Sequence, residues 1–186
     1  MQKLAILVTR LSSWVLSKMG RGGSMPGRLG IKIAPDCLNH LKFGGPVILV
    51  TGTNGKTSTA NMVSDLMEEA GYKVVTNRKG DNLRVGITST LLSHCSLSGR
   101  VKADAAVLEV DELNMKYIVP ALPVTAIVVN NFFRDQLDRA GEMERIIDTI
   151  ESVLPDYQGD LILNGNDPNV VRLAMAAPNA RKIYFG

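Results

Sequence analysis

The sequence predicts a parallel α/β sheet flanked by helices, with an amphipathic helix at its N-terminus. Three observations predict it. From about residue 44 onward, short apolar runs alternate with helical patterns, which is how parallel strands joined by helices read in sequence. The first run, Val47 to Val50, passes straight into Thr51-Gly52-Thr53-Asn54-Gly55-Lys56-Thr57-Ser58-Thr59, a glycine-lysine-threonine turn that opens a helical pattern. Polar residues also gather just after the predicted strands, at Glu109, Asn131 and Asn164, where the ligand crevice of such a sheet lies.

Each element has its own warrant. Leu4, Leu7, Val8, Leu11, Trp14, Val15 and Met19 recur at helical spacing, with Arg10, Ser13, Ser17 and Lys18 largely between them. That face is expected to pack on the domain; a basic amphipathic helix can also lie on an anionic membrane. Residues 20–30 read as a glycine-rich loop and 35–43 as a short helix, so residues 1–43 form a helix plus connector and 44–186 the nucleotide domain. After the strand at 46–50, residues 57–70 keep Ala60, Val63, Leu66, Met67 and Ala70 at helical spacing, and Gly71 stops the helix. Strands follow at 73–76, 105–110, 125–129, 160–163 and 182–185, with helical runs ending at Leu92 and spanning 142–154. Asp167-Pro168 reads as an N-cap followed by proline at the first helical position.

Composition narrows the classes. With 186 residues and 45% hydrophobic content, the chain can bury the core of one domain with a small appendage. Its two cysteines, Cys37 and Cys95, are far apart and form no C-x-x-C pair, so neither a disulfide framework nor a zinc site is expected and a reducing cytoplasm fits. Arg10 and Lys18 break the N-terminal apolar run, which excludes a signal peptide or membrane span. Residues 1–50 carry seven Lys or Arg against one acid, whereas residues 101–186 carry eight against thirteen, so the basic character is N-terminal. The Gly20-Arg21-Gly22-Gly23 run is too short and isolated for an RNA-binding segment, and no nucleic-acid partner is expected.

The turn after the first strand suits a nucleoside triphosphate. Gly52 and Gly55 let the backbone approach phosphate oxygens closely, and successive N–H groups with a helix N-terminus make an anion-binding concavity. Lys56 would reach the β and γ phosphates, and Thr57 would place its hydroxyl on Mg²⁺. The general P-loop asks for glycine where Val50 stands. Glu109 closes an apolar strand, where a carboxylate either holds Mg²⁺, directly or through water, or faces solvent at a strand edge; Asp111 is a weaker candidate. Asp167 has a capping role available whether or not nucleotide binds. Nothing near His40 or His94 gives either a catalytic role.

The loop Thr51 to Thr57 resembles the nucleotide loop of the Mur ligases, ATP-dependent enzymes of peptidoglycan synthesis, whose shorter G-T-N-G-K-T accounts for Val50. Asn131 to Asp138 is similar to the family's N-x-x-x-D-H-L-D motif, and Asn164 to Pro168 to its N-x-D-D-P motif. Together these cover residues 46–186. Leu-Glu-Val-Asp-Glu at 108–112 and the Gly20 to Gly27 stretch are similar to the branch that amidates lipid II, and residues 77–86 resemble that branch's N-x-x-G-A-N loop with Asp81 in place of alanine. The resemblance implies an ATP-dependent carbon-nitrogen ligase that activates the stem-peptide D-glutamate as an acyl phosphate for ammonia from a GatD-like glutaminase subunit. It implies ATP and Mg²⁺ as cofactors. It places Gly52, Thr53, Asn54, Gly55, Lys56, Thr57, Ser58, Asn131, Asn164 and Asp167 around the nucleotide, Thr57 and Glu109 on the metal, and Lys56 and Glu109 in catalysis. A lipid-linked substrate implies a place at the inner face of the membrane.

Three departures stand against it. Gln136 replaces the metal-binding histidine of the amino-acid-adding ligases, and Ile150 stands near their carbamylated lysine. The family's C-terminal domain is expected to be absent, which leaves two alternatives open: a catalytically incomplete ATP-binding module, or a ligase adding an amino acid. A kinase or GTPase outside the family fits the short loop less well.

Overall fold

The computed structural model describes residues 1–20, 23–78, 81–132 and 140–186. Among these, six parallel strands form one sheet in the order β2-β3-β1-β4-β5-β6. The strands are β1 (Val47–Thr51), β2 (Val74–Thr76), β3 (Ala105–Glu109), β4 (Ala126–Val129), β5 (Asp160–Asn164) and β6 (Arg181–Phe185). The helices are α1 (Gln2–Lys18), α2 (Met25–Ile33), α3 (Lys56–Glu69), α4 (Arg84–Ser93), α5 (Met115–Ile118), α6 (Ala140–Glu151) and α7 (Pro168–Ala176). The predicted α/β class and its strands are therefore present, each within one or two residues of the expected bounds.

The central strands are apolar along their whole length because helices cover both faces. All five residues of β3 are buried. Their alternation splits the core into two layers: Leu49, Leu108, Ile127 and Leu161 join a large cluster with α4, α6 and α7. Val50, Val107 and Val128 pack instead under Ala60, Val63 and Met67 of α3. β1 lies between β3 and β4, with Val50 opposite Glu109 and Thr51 opposite Val129. This register brings the C-terminal ends of the three strands to one level, and the polar strand ends meet there.

The N-terminal region departs from expectation in three ways. The glycine-rich stretch is a helix from Met25, with Pro26 in its first turn. Gly27 and Gly30 are there for approach and not for flexibility: a Cβ on Gly27 would overlap the Val85 carbonyl of α4, and one on Gly30 would sit 2.6 Å from Thr9 Oγ1 of α1. The apolar face of α1 does not pack on the domain. Ala5, Ile6 and Thr9 are buried, while Leu4, Leu7, Leu11, Trp14 and Val15 are exposed. Where α1 crosses Gly30 the seam is too close for a large side chain, so Thr9 stands there, and Ile6 is the one large side chain that α1 buries fully; Thr9 Oγ1 donates to the Pro26 carbonyl at 3.2 Å and Ser13 meets Ser93 at 3.0 Å. The predicted helix at 35–43 shrinks to one 3₁₀ turn, Cys37–His40.

Cys37 and Cys95 are free and buried. Burial pushes both thiols up, Cys95 to about 11. Among the described residues, no helix is long and apolar enough to cross a membrane.

Candidate functional site

The turn after β1 owes its shape to two glycines. Gly52 has φ 123° and Gly55 φ 77°, backbone conformations that favour glycine. A side chain on Gly52 would also press on the Asn131 backbone, with atoms at 3.0 Å. Gly55 is the N-cap of α3, so the positive end of that helix opens into the turn.

The end of β4 braces this loop from outside. Asn131 Oδ1 accepts from the Asn54 N–H and from Thr53 Oγ1, both at 3.1 Å, while its Nδ2 donates to the Asn54 carbonyl at 3.2 Å. The Asn131 carbonyl takes the Thr53 N–H at 2.8 Å. Next to it, Asn130 Nδ2 donates to Thr59 Oγ1 at 3.0 Å and to the Asn54 carbonyl at 3.3 Å. Two neighbouring asparagines thus fix the loop's conformation.

Lys56 projects back over the turn. Its Nζ donates to the Gly52 and Thr53 carbonyls and pairs with Glu112 Oε1 at 2.9 Å. Both partners are largely sheltered, with side-chain exposures of 14% and 8%, so the ion pair sits at a depth where losing one partner is felt. All three ammonium donors are used.

Glu109 ends β3, 4% exposed. Its Oε2 accepts from Thr57 Oγ1 at 2.8 Å and its Oε1 from Asn82 Nδ2 at 2.8 Å. Asn77 ties the same residue's backbone, donating to its carbonyl at 2.8 Å and accepting from its N–H at 2.9 Å. Glu109 therefore faces inward, towards the loop, and the solvent-facing alternative is excluded. Asp111 is occupied as a cap: its Oδ1 accepts from the Leu113 N–H at 3.1 Å and from Asn114 Nδ2 at 2.8 Å. Among the described residues no three His, Cys, Asp or Glu side chains gather as a metal site.

Asp167 caps α7 through Asn169 N–H at 2.9 Å, as expected, and its other oxygen accepts the Phe132 N–H at 2.7 Å. The cap thus also pins the chain leaving β4. Asn164, at the end of β5, accepts the Asn166 N–H at 2.9 Å. Of the motif from Asn131 to Asp138, the stretch that includes Gln136 lies outside the described residues. Ile150 is fully buried in the core.

The structure thus brings Gly52, Thr53, Asn54, Gly55, Lys56, Thr57, Glu109 and Asn131 into one hydrogen-bonded cluster, with Asp167 linked to it through Phe132. Ser58 lies in the first turn of α3 and Asn164 stands one strand further along the sheet. Sequence reasoning missed Glu112, Asn77, Asn82 and Asn130. Glu112 had a signal: it follows Glu109 by three residues just past a strand end. Asn77 and Asn82 had one in the N-x-x-G-A-N resemblance, whose first and last positions they fill, and Asn130 had its place at a polar strand end.

Fold and site define a parallel α/β domain whose strand ends surround a braced, glycine-rich loop at the start of a helix. The chain belongs to the Mur ligase family: the family model described as the Mur ligase middle domain matches residues 50–186. It is similar to the lipid II isoglutaminyl synthase subunit MurT of Streptococcus pneumoniae, at 36% identity across 98% of this chain and 40% of that protein. Among solved structures, MurF from Acinetobacter baumannii aligns over 86% of this chain and 35% of its own, with TM-score 0.69 and 20% identity. MurF from Thermotoga maritima, solved in complex with ADP, aligns over 88% of this chain and 35% of its own, with TM-score 0.60 and 18% identity. These two likenesses concern the fold. The chain spans about 40% of the length of its MurT relative.

Proposed function

We propose that this chain is the ATP-binding core of an amide-forming ligase acting on lipid II. The observation that carries the reading is the 36% identity to a MurT subunit across nearly the whole chain, joined to a glycine-rich loop in which Lys56 pairs with Glu112 and Thr57 donates to Glu109.

The chemistry follows from the charges. A carboxylate oxygen of the stem-peptide D-glutamate attacks the γ-phosphorus of ATP, the bond to the bridging oxygen breaks, and ADP leaves. Ammonia, supplied by a glutaminase subunit, then attacks the acyl carbon; the new C–N bond forms as phosphate departs and a proton passes to solvent. Transfer of this kind needs positioning and charge neutralisation. The loop N–H groups and the α3 N-terminus cradle the phosphates, with Thr53, Asn54 and Ser58 at their edge. Lys56 neutralises the β and γ oxygens. Asn131 holds the loop, while Asn164 and Asp167 lie on the side that takes the nucleoside.

The residues present also fit Mg²⁺, which commonly takes one or two carboxylates together with substrate phosphates. Thr57 Oγ1 and Glu109 Oε2 lie 2.8 Å apart at the loop's mouth, one hydroxyl and one carboxylate able to share a hard cation. Bound there, Mg²⁺ would neutralise phosphate charge. The reaction belongs in the cytoplasm, at the membrane's inner face where a lipid-linked precursor is presented.

Binding and turnover are tested separately. ATP with Mg²⁺ is expected to raise the melting temperature of this chain, and Lys56→Ala to abolish the rise; an unshifted wild type refutes the nucleotide site. For turnover, ADP release by the native full-length protein should require both lipid II and ammonia. Equal turnover with a free amino acid as acceptor would assign a peptide-forming ligase instead.

A further inference from the structure

We propose that the outward face of α1 is a lipid-docking surface that seats the protein on an anionic membrane. The proposal rests on the helix's own surface and not on the ligase reaction, so each can fail without the other.

The two sides of α1 are opposed. At 100° per residue, Ala5, Ile6, Thr9, Ser12, Ser13 and Leu16 fall on the inward arc, whereas Leu4, Leu7, Leu11, Trp14 and Val15 fall within about 100° on the opposite arc. Leu7, Leu11 and Trp14 are 54%, 60% and 61% exposed. A helix normally buries its large apolar side chains and shows small or polar ones to water; this one buries Ile6 but leaves Leu4, Leu7, Leu11, Trp14 and Val15 outside. The inner arrangement is fixed, because the Gly30 seam leaves no room for a leucine at Thr9. Rotating the helix to hide the outer face would force bulky side chains into that seam. The outer face thus stays available for something else.

Charge decides what covers it. Lys3, Arg10 and Lys18 lie beside or within the apolar arc, Arg28 and Lys32 are exposed on the adjoining α2, and no Asp or Glu occurs before Asp36. An apolar strip with tryptophan, edged by lysine and arginine and lacking acids, fits the boundary between acyl chains and anionic headgroups. A second copy fits poorly, since pairing two such faces would set like charges together. At 17 residues and with three basic side chains, α1 would lie in the interface without crossing it.

Trp14 is the chain's sole tryptophan, so its fluorescence reports this face directly. With phosphatidylglycerol-containing vesicles its emission should shift to the blue and become shielded from iodide, with neither change on pure phosphatidylcholine vesicles, and high salt should weaken the effect. Leu7→Ser/Leu11→Ser should lower partitioning at least about tenfold, and Arg10→Glu/Lys18→Glu should also lower it. Both pairs are on the exposed arc, so the fold is expected to persist, checked by the thermal melt and by an unchanged ATP-induced shift. No change at Trp14 with anionic vesicles overturns the proposal. So does equal partitioning of the double-serine variant, which would mean charge attraction alone, or lipid-independent self-association that buries Trp14.

Discussion

Replacing Glu112 by glutamine tests how the ion pair holds Lys56 over the loop. In the wild type the Lys56 ammonium lies 2.9 Å from Glu112 Oε1, a gross attraction of about 6 kcal/mol at an effective dielectric of 20. Most of that is offset by desolvation of the two groups, and breaking a fully buried pair from one side costs about 3–5 kcal/mol. Lys56 retains 14% exposure and the Gly52 and Thr53 carbonyls, so about 2 kcal/mol is a fair net loss when no nucleotide is added. A bound triphosphate supplies the missing anion. The thermodynamic cycle then returns the same ~2 kcal/mol as tighter binding, about a thirtyfold lower Kd. Glu112→Gln should thus melt earlier than wild type without ligand, yet show a larger rise with ATP and Mg²⁺, with titration calorimetry giving the affinity. A ligand-induced rise equal to or smaller than that of the wild type would refute the reasoning: Glu112 would then not compete with phosphate for Lys56.

Three other perturbations probe the frame around the site. Thr51 is fully buried and its hydroxyl has no hydrogen-bond partner among the described residues, so Thr51→Val should stabilise the chain by about 1 kcal/mol in urea unfolding; a loss would reveal a partner for that hydroxyl. Gly27→Ala drives a methyl into the Val85 carbonyl and should cost about 3 kcal/mol, whereas a loss below ~1 kcal/mol would mean the seam between α2 and α4 relaxes. Burial raises the Asp81 carboxyl above its usual range. Its ionised form therefore opposes folding fully above that raised value, and the penalty fades as pH falls through it and is gone below the unfolded one. Asp81→Asn should then melt higher than wild type at neutral pH, with the difference narrowing towards about pH 4; a pH-independent difference would show that the carboxylate is not responsible.

What could be read from the sequence followed local rules. The apolar runs at 47–50 and 105–110 had to be buried strands, the Asp167-Pro168 pair had to open a helix, and the loop carried its own chemistry. What was missed depended on partners distant in the chain. The exposed face of α1 has the same periodicity as a buried one, and only the surfaces of α2 and α4 decide which arc turns inward. Gly27 and Gly30 read as loop residues because glycine weakens isolated helices, yet here they permit helices to touch. Glu112 stood in a visible acidic run, but its pairing with Lys56 depended on the register that places β3 beside β1.

The two asparagines at the end of β4 have a kinetic consequence. Ordering a residue's backbone takes about 1–2 kcal/mol of conformational entropy, and through Asn130 and Asn131 the loop from Gly52 to Gly55 meets that demand while the protein folds. An arriving nucleotide would find its cradle already shaped, with only the Lys56 side chain left to swing. Association should therefore follow a single exponential whose rate climbs linearly with ATP concentration, free of the plateau that a slow loop-ordering step would impose.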